Sequence, residues 1–346
     1  MKIRSILQTT SLSIAMALAC GNVLANDDFK ITTKGGLKIE KTDGTASFAV
    51  GGRIQWDYDH TETDVDEEET LEIRRARLFA KGHIDDWAYK AEFNVGEDNG
   101  GTVEDLYVSY TGWGKQAILT IGKHREPIGL EDQTSSNDIS LLERSAITES
   151  YAIARNAGVQ LSGQVQDLYY AVGVYRNDND EESIEETAIT GRVAYAPINE
   201  EGKLLHIGAA YRAGEESDVV GLELAGVLGQ AHAQFEFFDR DESNQDGSYL
   251  QVGYVISGTP RPYKDGKFKR VNPTEGWGIE VAARVENGYG KYSDIGLESG
   301  EGKQTSFGVN LYPNNNLRFG LDYTFGELDN SDNDGSELRV RTQFVF

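Results

Sequence analysis

Arg339 and Arg341 stand two residues apart in the closing segment ELRVRTQFVF, and the same spacing recurs at Arg75 and Arg77 in IRRARL. In an extended chain a spacing of two puts side chains on one face. Arg53, Gln55 and Asp57 repeat it in GGRIQWDY, and Glu280 with Ala282 and Arg284 repeats it with mixed charge. Rows of fixed cations replace part of an anion's hydration as it passes, provided each site stays weak enough to release it. Bond-making chemistry lacks its residues. His60, His83, His124, His206 and His232 are scattered, with no H-E-x-x-H pair for zinc and no G-x-S-x-G elbow. GLESGEGKQ has the wrong glycine spacing for a phosphate loop, and Gln304 stands where Ser or Thr is needed. In NSDNDGSELRVR, Asn330, Asp332, Asp334 and Gly335 match the opening of a calcium loop, but Arg341 replaces its bidentate Glu. No enzyme, cofactor or metal site is expected.

Positioning such rows takes strands, and the chain is built of them. Phe346, Phe344, Thr342, Val340 and Leu338 share one face of the last segment, while Gln343, Arg341, Arg339 and Glu337 share the other. LRFGLDYTF, TSFGVNL and WGIEVAARV alternate in the same way. So do twelve further segments, near 46–59, 70–84, 86–95, 103–111, 116–123, 156–164, 167–176, 186–196, 203–213, 218–227, 230–239 and 247–257. The total is about 16, each near the ~9–11 residues that cross an outer membrane when tilted. Short connectors (IDDW, TGWGK, GQVQD, PINEEGK, YPNNN) alternate with long acidic ones (HTETDVDEEET, RNDNDEESIEE, AGEESD, RDESNQDGS, SDIGLESGEGK, GELDNSDNDGS). A soluble sandwich also alternates. The even count, the two classes of connector and the terminal Phe346 point instead to an all-β, transmembrane antiparallel barrel, closed because lipid leaves no open edge unsatisfied. Its phenylalanines face lipid and its arginines the lumen.

Residues 1–25 have the features of a cleavable secretory signal: Lys2 and Arg4, an apolar run near Leu12–Ala19, and small residues up to Ala25. The run is too short for a membrane anchor. Lipidation at Cys20 is the alternative. Cleavage after Ala25 removes the only cysteine, and with it any disulfide or thiol chemistry. Without Lys2 and Arg4 the basic count falls from 33 to 31 against 57 acids. That charge repels nucleic acid. The acids lie mostly in the outer connectors, so the total does not give the sign of the lumen.

The mature barrel is expected at 26–346, with a periplasmic segment at 26–45. One connector, 124–155, is long and carries Ile139, Leu141, Leu142 and Ile147. Such a loop is expected to fold into the lumen, where its apolar side chains find cover; an external lid is the alternative.

Several stretches, TKGGLKIEKTDGTASFAVGGRIQWDY, IRRARLFAKG, DWAYKAEFN, TIGKHREPIGLEDQTSSNDISLLERS, YVISGTPRPYKDGKFKRVNP and GVNLYPNNNLRFGLDY among them, resemble the outer-membrane porins of the phosphate-selective O and P family. The resemblance implies a 16-stranded trimeric diffusion channel in a Gram-negative outer membrane, with its third loop in the lumen. It also implies small anions such as phosphate as cargo. From the residues themselves, Phe344 and Phe346 look like the signal read by the barrel-insertion machinery, and lipopolysaccharide is the expected neighbour of the outer loops. Arg53, Arg74 and Arg75 match positions that guide phosphate in that family. Only one of Arg74 and Arg75 faces inward in a regular strand, unless a bulge intervenes. RAGEESDVVGLEL, with only Arg212, departs from the family's arginine-dense loop, and Asp132 stands where a constriction lysine is expected.

The pore-lining candidates are Arg53, Arg74, Arg75, Arg77, Lys81, Lys90, Arg192, Arg212, Arg284, Arg318, Arg339 and Arg341. The constriction candidates are Lys123, His124, Arg125, Glu131, Asp132, Glu143 and Arg144. Two readings stay open: unpaired arginines that favour anions, or arginines tied to wall acids in a weakly selective pore. A barrel whose acidic loops serve adhesion is the reading from another class.

Overall fold

The computed structural model describes residues 28–33, 35–96, 101–153, 155–177, 186–215, 217–241, 245–329 and 334–346. The signal at 1–25, much of the acidic connectors near 178–185, 242–244 and 330–333, and with them Asn330 and Asp332, lie outside the described residues. A hairpin comes first, β1 (Phe29–Thr32) and β2 (Leu37–Lys41). The first long strands are β3 (Ala46–Thr63), β4 (Glu67–Ile84), β5 (Trp87–Asn94), β6 (Thr102–Tyr110) and β7 (Ile118–Arg125). After a long loop follow β8 (Arg155–Val165), β9 (Leu168–Asn177), β10 (Glu186–Glu200), β11 (Lys203–Ala213), β12 (Asp218–Leu228), β13 (Ala231–Arg240) and β14 (Gln245–Ser257). A two-residue-strand hairpin, β15 (Tyr263–Lys264) and β16 (Lys267–Phe268), precedes β17 (Gly278–Lys291), β18 (Ser299–Tyr312), β19 (Leu317–Leu328) and β20 (Asp334–Val345).

Among the described residues, β3 to β14 and β17 to β20 make sixteen antiparallel barrel strands. Each pairs with the next, and β20 pairs with β3 to close the cylinder. Period-two sequence becomes two surfaces. In β3, Arg53, Gln55, Asp57 and Asp59 are buried in the interior, whereas Ile54, Trp56 and Tyr58 stay exposed on the outside. The outside is apolar because it faces lipid, and every backbone group inside that apolar layer is met by a neighbouring strand.

Three local expectations change. HTETDVDEEET is mostly ladder, because β3 and β4 continue pairing through Glu62↔Glu67 and leave only 64–66 as a turn. Once register is set, each further pair along the same ladder forms locally, and the β-branched Thr61, Thr63 and Thr70 suit it. The N-terminal segment extends the sheet: β2 pairs with the first residues of β3, Leu37↔Val50 to Glu40↔Ser47. Residues 258–277, to which the sequence reading assigned no element, carry β15 and β16 and bury Phe268 and Val271 completely.

The chain's last residue is clasped to its first barrel strand. The Phe346 amide donates to the Gly52 carbonyl at 3.0 Å, and the Gly52 amide donates to the Phe346 carbonyl at 2.7 Å. Glycine is needed there, since a Cβ on Gly51 would meet the Phe346 carbonyl oxygen. Gly51→Val is expected to loosen this clasp by on the order of 1–3 kcal/mol. The expected result is a smaller heat-modifiable fraction on an unheated gel.

Candidate functional site: the lumen and its two inward segments

The lumen loop leaves β7 and returns to β8, so it spans 126–154 rather than 124–155. Lys123, His124 and Arg125 are strand residues. Lys123 stands opposite Leu106, whose side chain faces lipid, and so belongs to the outward row instead of the constriction. His124 points inward, and Arg125 turns into the lumen where the strand ends, on the Asp132 carbonyl at 2.5 Å and the Asp132 carboxylate. The loop carries two short helices, α1 (Leu130–Gln133) and α2 (Ala146–Tyr151). Ser145 caps α2 by accepting from the Thr148 amide at 2.8 Å.

Apolar packing presses this loop against the far wall. Ile128, Ile147 and Tyr151 cluster with Ala210, Val219, Phe238 and Tyr249 of β11 to β14. Full burial of such side chains is worth about 1.5–3 kcal/mol each. Leu141 and Leu142 lie over Gly308 and Gly320, where an added Cβ would collide with their methyls. The connector 258–277 meets the loop from the other end: Phe268 and Tyr263 pack with Leu130. Arg261 donates to the Glu280 carboxylate at 2.8 Å and to the Asp138 carbonyl at 2.7 Å.

Wall charges hold what packing brings together. Glu143, near the tip of the loop, accepts from both Arg75 nitrogens at 2.8 Å and from Arg341 at 2.5 Å, with Arg74 at 3.2 Å. Arg74 reaches it because the β3–β4 register slips there, from Gln55↔Arg75 to Trp56↔Ile73, leaving Arg74 as the bulged residue. Burial alone would raise the Glu143 carboxyl, but the charges of Arg75, Arg341 and Arg74 outweigh it and hold it well below the usual carboxylate range. Asp322 accepts from the Leu142 amide at 2.6 Å, and Arg341 donates to the Leu142 carbonyl at 2.5 Å. Glu131 turns into the loop itself, accepting from Ser145 and Thr148 as well as Arg284. Arg144 donates to the Thr134 carbonyl at 2.9 Å and lies 3.7 Å from Asp132.

The pore-lining candidates divide into two sets. Arg192, Arg284, Arg318, Arg339 and Arg341 are buried and engaged: Arg192 on Glu223, Arg284 on Glu286, Arg318 on Asn310, Arg339 on Asp59 and Glu337, Arg341 on Asp57. Arg212 lies 3.4 Å from Glu126. These hold the loop and connector to the wall. The other set lines the open cavity, although Arg53 is as buried as Arg339 and lies 3.3 Å from Glu92. Arg53 donates to Ser136 of the loop at 3.0 Å, and Arg77 pairs with Glu104. Lys90 sits between Glu92 and Asp105, and Lys81 lies 4.9 Å over the Phe79 ring. Their cavity, about 1040 Å³, is lined by nine lysines and arginines against three carboxylates, Glu92, Asp105 and Asp265. A second space of about 390 Å³ lies beyond it, with Arg74 and Arg75 in its lining, and Arg77 borders both. Lys267, Lys269 and Arg261 were missed in the sequence. Their signal was the KDGK turn and the cluster of basic residues in PRPYKDGKFKRVNP.

A closed sixteen-stranded barrel, apolar outside, with a charged lumen narrowed by a loop after its fifth strand, defines an outer-membrane diffusion channel. The family model for phosphate-selective porin O and P matches residues 48–220 and 213–346, and the chain belongs to that family. Porin O of Pseudomonas aeruginosa is 27% identical over 97% of this chain and 97% of its own. Among solved structures, the anion-selective porin from Comamonas acidovorans has a TM-score of 0.60 at 13% identity, over 87% of this chain and 100% of that one. The channel DcaP of Acinetobacter baumannii reaches 0.59 at 10% identity, over 89% and 99%. The trimer form of OmpT from Vibrio cholerae reaches 0.57 at 11%, over 86% and 99%. The protein is an outer-membrane porin of a Gram-negative bacterium.

Breaking one partner of a buried pair costs about 3–5 kcal/mol. Glu143→Gln is therefore expected to lower the unfolding temperature and raise single-channel conductance as the loop tip releases Arg75 and Arg341. Because the Glu143 carboxyl is depressed in the folded protein, its contribution is complete above the ordinary value near ~4.3 and is lost as pH falls through the lower folded value. Conductance should thus hold steady from pH 7 to about 4.5 and change only in stronger acid.

Proposed function

We propose that the channel passes small anions, phosphate among them, along the β3–β6 side of the lumen, guided by Arg53, Arg74, Arg77, Lys81 and Lys90. The carrying observation is the excess of nine basic over three acidic side chains around the main cavity, in a chain whose formal charge is -24. The opposite wall acts as a belt whose arginines are spent on the loop and connector. The names of the relatives, phosphate-selective for the family and anion-selective for the Comamonas porin, agree with this reading.

A trimer is the assembly this reading implies. The three shortest barrel strands, β5, β6 and β7 at 8, 9 and 8 residues, are adjacent. That stretch of wall is at or below the length that crosses lipid when tilted, so a protein neighbour covers it better. Phe344, exposed on the lipid face, and Phe346 are offered to the barrel-insertion machinery.

Single channels in a planar bilayer under a salt gradient test the selectivity. The expected reversal potential is that of an anion-preferring pore, with chloride current reduced by added phosphate. Cation preference without phosphate block would reject the reading. Lys267 adds a pH signature: burial, then Lys269 and Arg125, push its ammonium down to about 8. It is mostly charged at pH 7 and neutral by pH 9, so the anion preference should weaken across that interval, and Lys267→Gln should flatten the change. Native mass spectrometry from detergent should find three chains per particle.

A further inference from the structure

Inorganic phosphate needs charge and hydrogen-bond donors, yet this cavity also has aromatic walls. At one height of the barrel, register aligns Lys81↔Lys90 across β4 and β5, Lys90↔Tyr107 across β5 and β6, and Tyr107↔Gly122 across β6 and β7. Lys81, Lys90 and Tyr107 line the cavity, and Gly122 holds the inward register position beside Tyr107. Lys90 is committed to Glu92 and Asp105, while Lys81 has no hydrogen bond or ion pair among the described residues and rests its ammonium over Phe79. Tyr107 is half-buried, its ring 6.0 Å from His124 and edge-on to it, and its hydroxyl has no protein partner among the described residues. Gly122 leaves bare backbone beside that ring. Its φ of +129° is what demands glycine, and the lack of a side chain there is the consequence.

The row therefore offers, in order, a free ammonium, a bound ammonium, an aromatic ring and a position with no side chain. Adjacent strands lie about 4.8 Å apart, so Lys81 and Tyr107 are separated by roughly 10 Å of wall. A long lysine side chain spans part of that distance. A bare phosphate can use only the first half of the row. A phosphate monoester with a ring-shaped alcohol can use all of it, its phosphoryl oxygens on Lys81 and its ring against Tyr107 over Gly122. The cavity of about 1040 Å³ has room for such a molecule. We propose that this row is a subsite for phosphate monoesters of ring-shaped alcohols, such as sugar or aryl phosphates, within the anion path. It rests on the anion reading and names its preferred cargo.

Chloride current through single channels tests it, with inorganic phosphate, glucose 6-phosphate, phenyl phosphate and glucose added separately. Ring contacts of this kind are expected to make the two monoesters half-block at about three- to ten-fold lower concentration than inorganic phosphate, with glucose inert. Tyr107→Ala should erase the preference while leaving block by inorganic phosphate unchanged, and Tyr107→Phe should keep it. Lys81→Gln should weaken block by all three anions. Equal block by phosphate and its ring esters in the unaltered channel would overturn the proposal, as would a preference that survives Tyr107→Ala. Anion preference with equal block removes only this subsite; loss of anion preference itself removes the reading beneath it.

Discussion

A charged side chain buried away from lipid and water in this barrel has to find a partner inside, and that constraint organises the molecule. Strand periodicity sends half of all strand residues inward. Arginines and acids on those positions would be costly to bury alone. The lumen loop resolves the problem by bringing its own carboxylate and carbonyl groups to them. Glu143 sits in the fork of Arg75 with Arg341 and Arg74 beside it, and the Leu142 carbonyl completes the Arg341 shell. The same contacts that neutralise the wall fix how far the loop reaches, and hence where the free space lies.

That division explains how an acidic protein can have a basic passage. On the β10–β20 side, apolar packing of Ile128, Ile147 and Phe268 excludes water, and the guanidinium groups are consumed by pairing. On the β3–β6 side the loop presents Ser136 to Arg53 and leaves open space beside Arg77, Lys81 and Lys90, where basic groups outnumber acids. Position relative to the loop, more than residue type, separates Arg318 from Arg77. Asp132, the acid at a position where a lysine was expected, is turned onto Arg125 and Arg144 and does not itself line the main cavity.

The strands were legible because lipid enforces a strict alternation, and all sixteen lie where period two puts them. The inward facing of Arg53, Arg77 and Lys81 followed from the same rule. Pairing was not legible, because it depends on cross-strand register between segments as distant as Asp57 and Arg341. The bulge at Arg74 was foreseeable only as an option, since a one-residue slip leaves no mark in composition. The inward fold of 258–277 was missed although its Asp265-Gly266 turn is a strong hairpin signal. A hairpin of two-residue strands is too short for periodicity to register, and its cover, Leu130 and Ala196, lies far away in sequence. Lys123 failed for another reason: it was counted with the constriction although it lies within β7, on the row of that strand that faces lipid.

The seam between the first and last barrel strands carries a consequence for biogenesis. Arg341 meets Asp57 and Arg339 meets Asp59 across sequence separations of 284 and 280 residues. Contacts so distant form late, since the chain entropy between them must be surrendered first. Until they form, β3 and β20 are two bare hydrogen-bonding edges, able to recruit any other strand nearby. The Gly52–Phe346 clasp and the two arginine pairs therefore work as a zip at the one joint where an unfinished sheet could polymerise, and they make completeness of the chain a condition of its solitude.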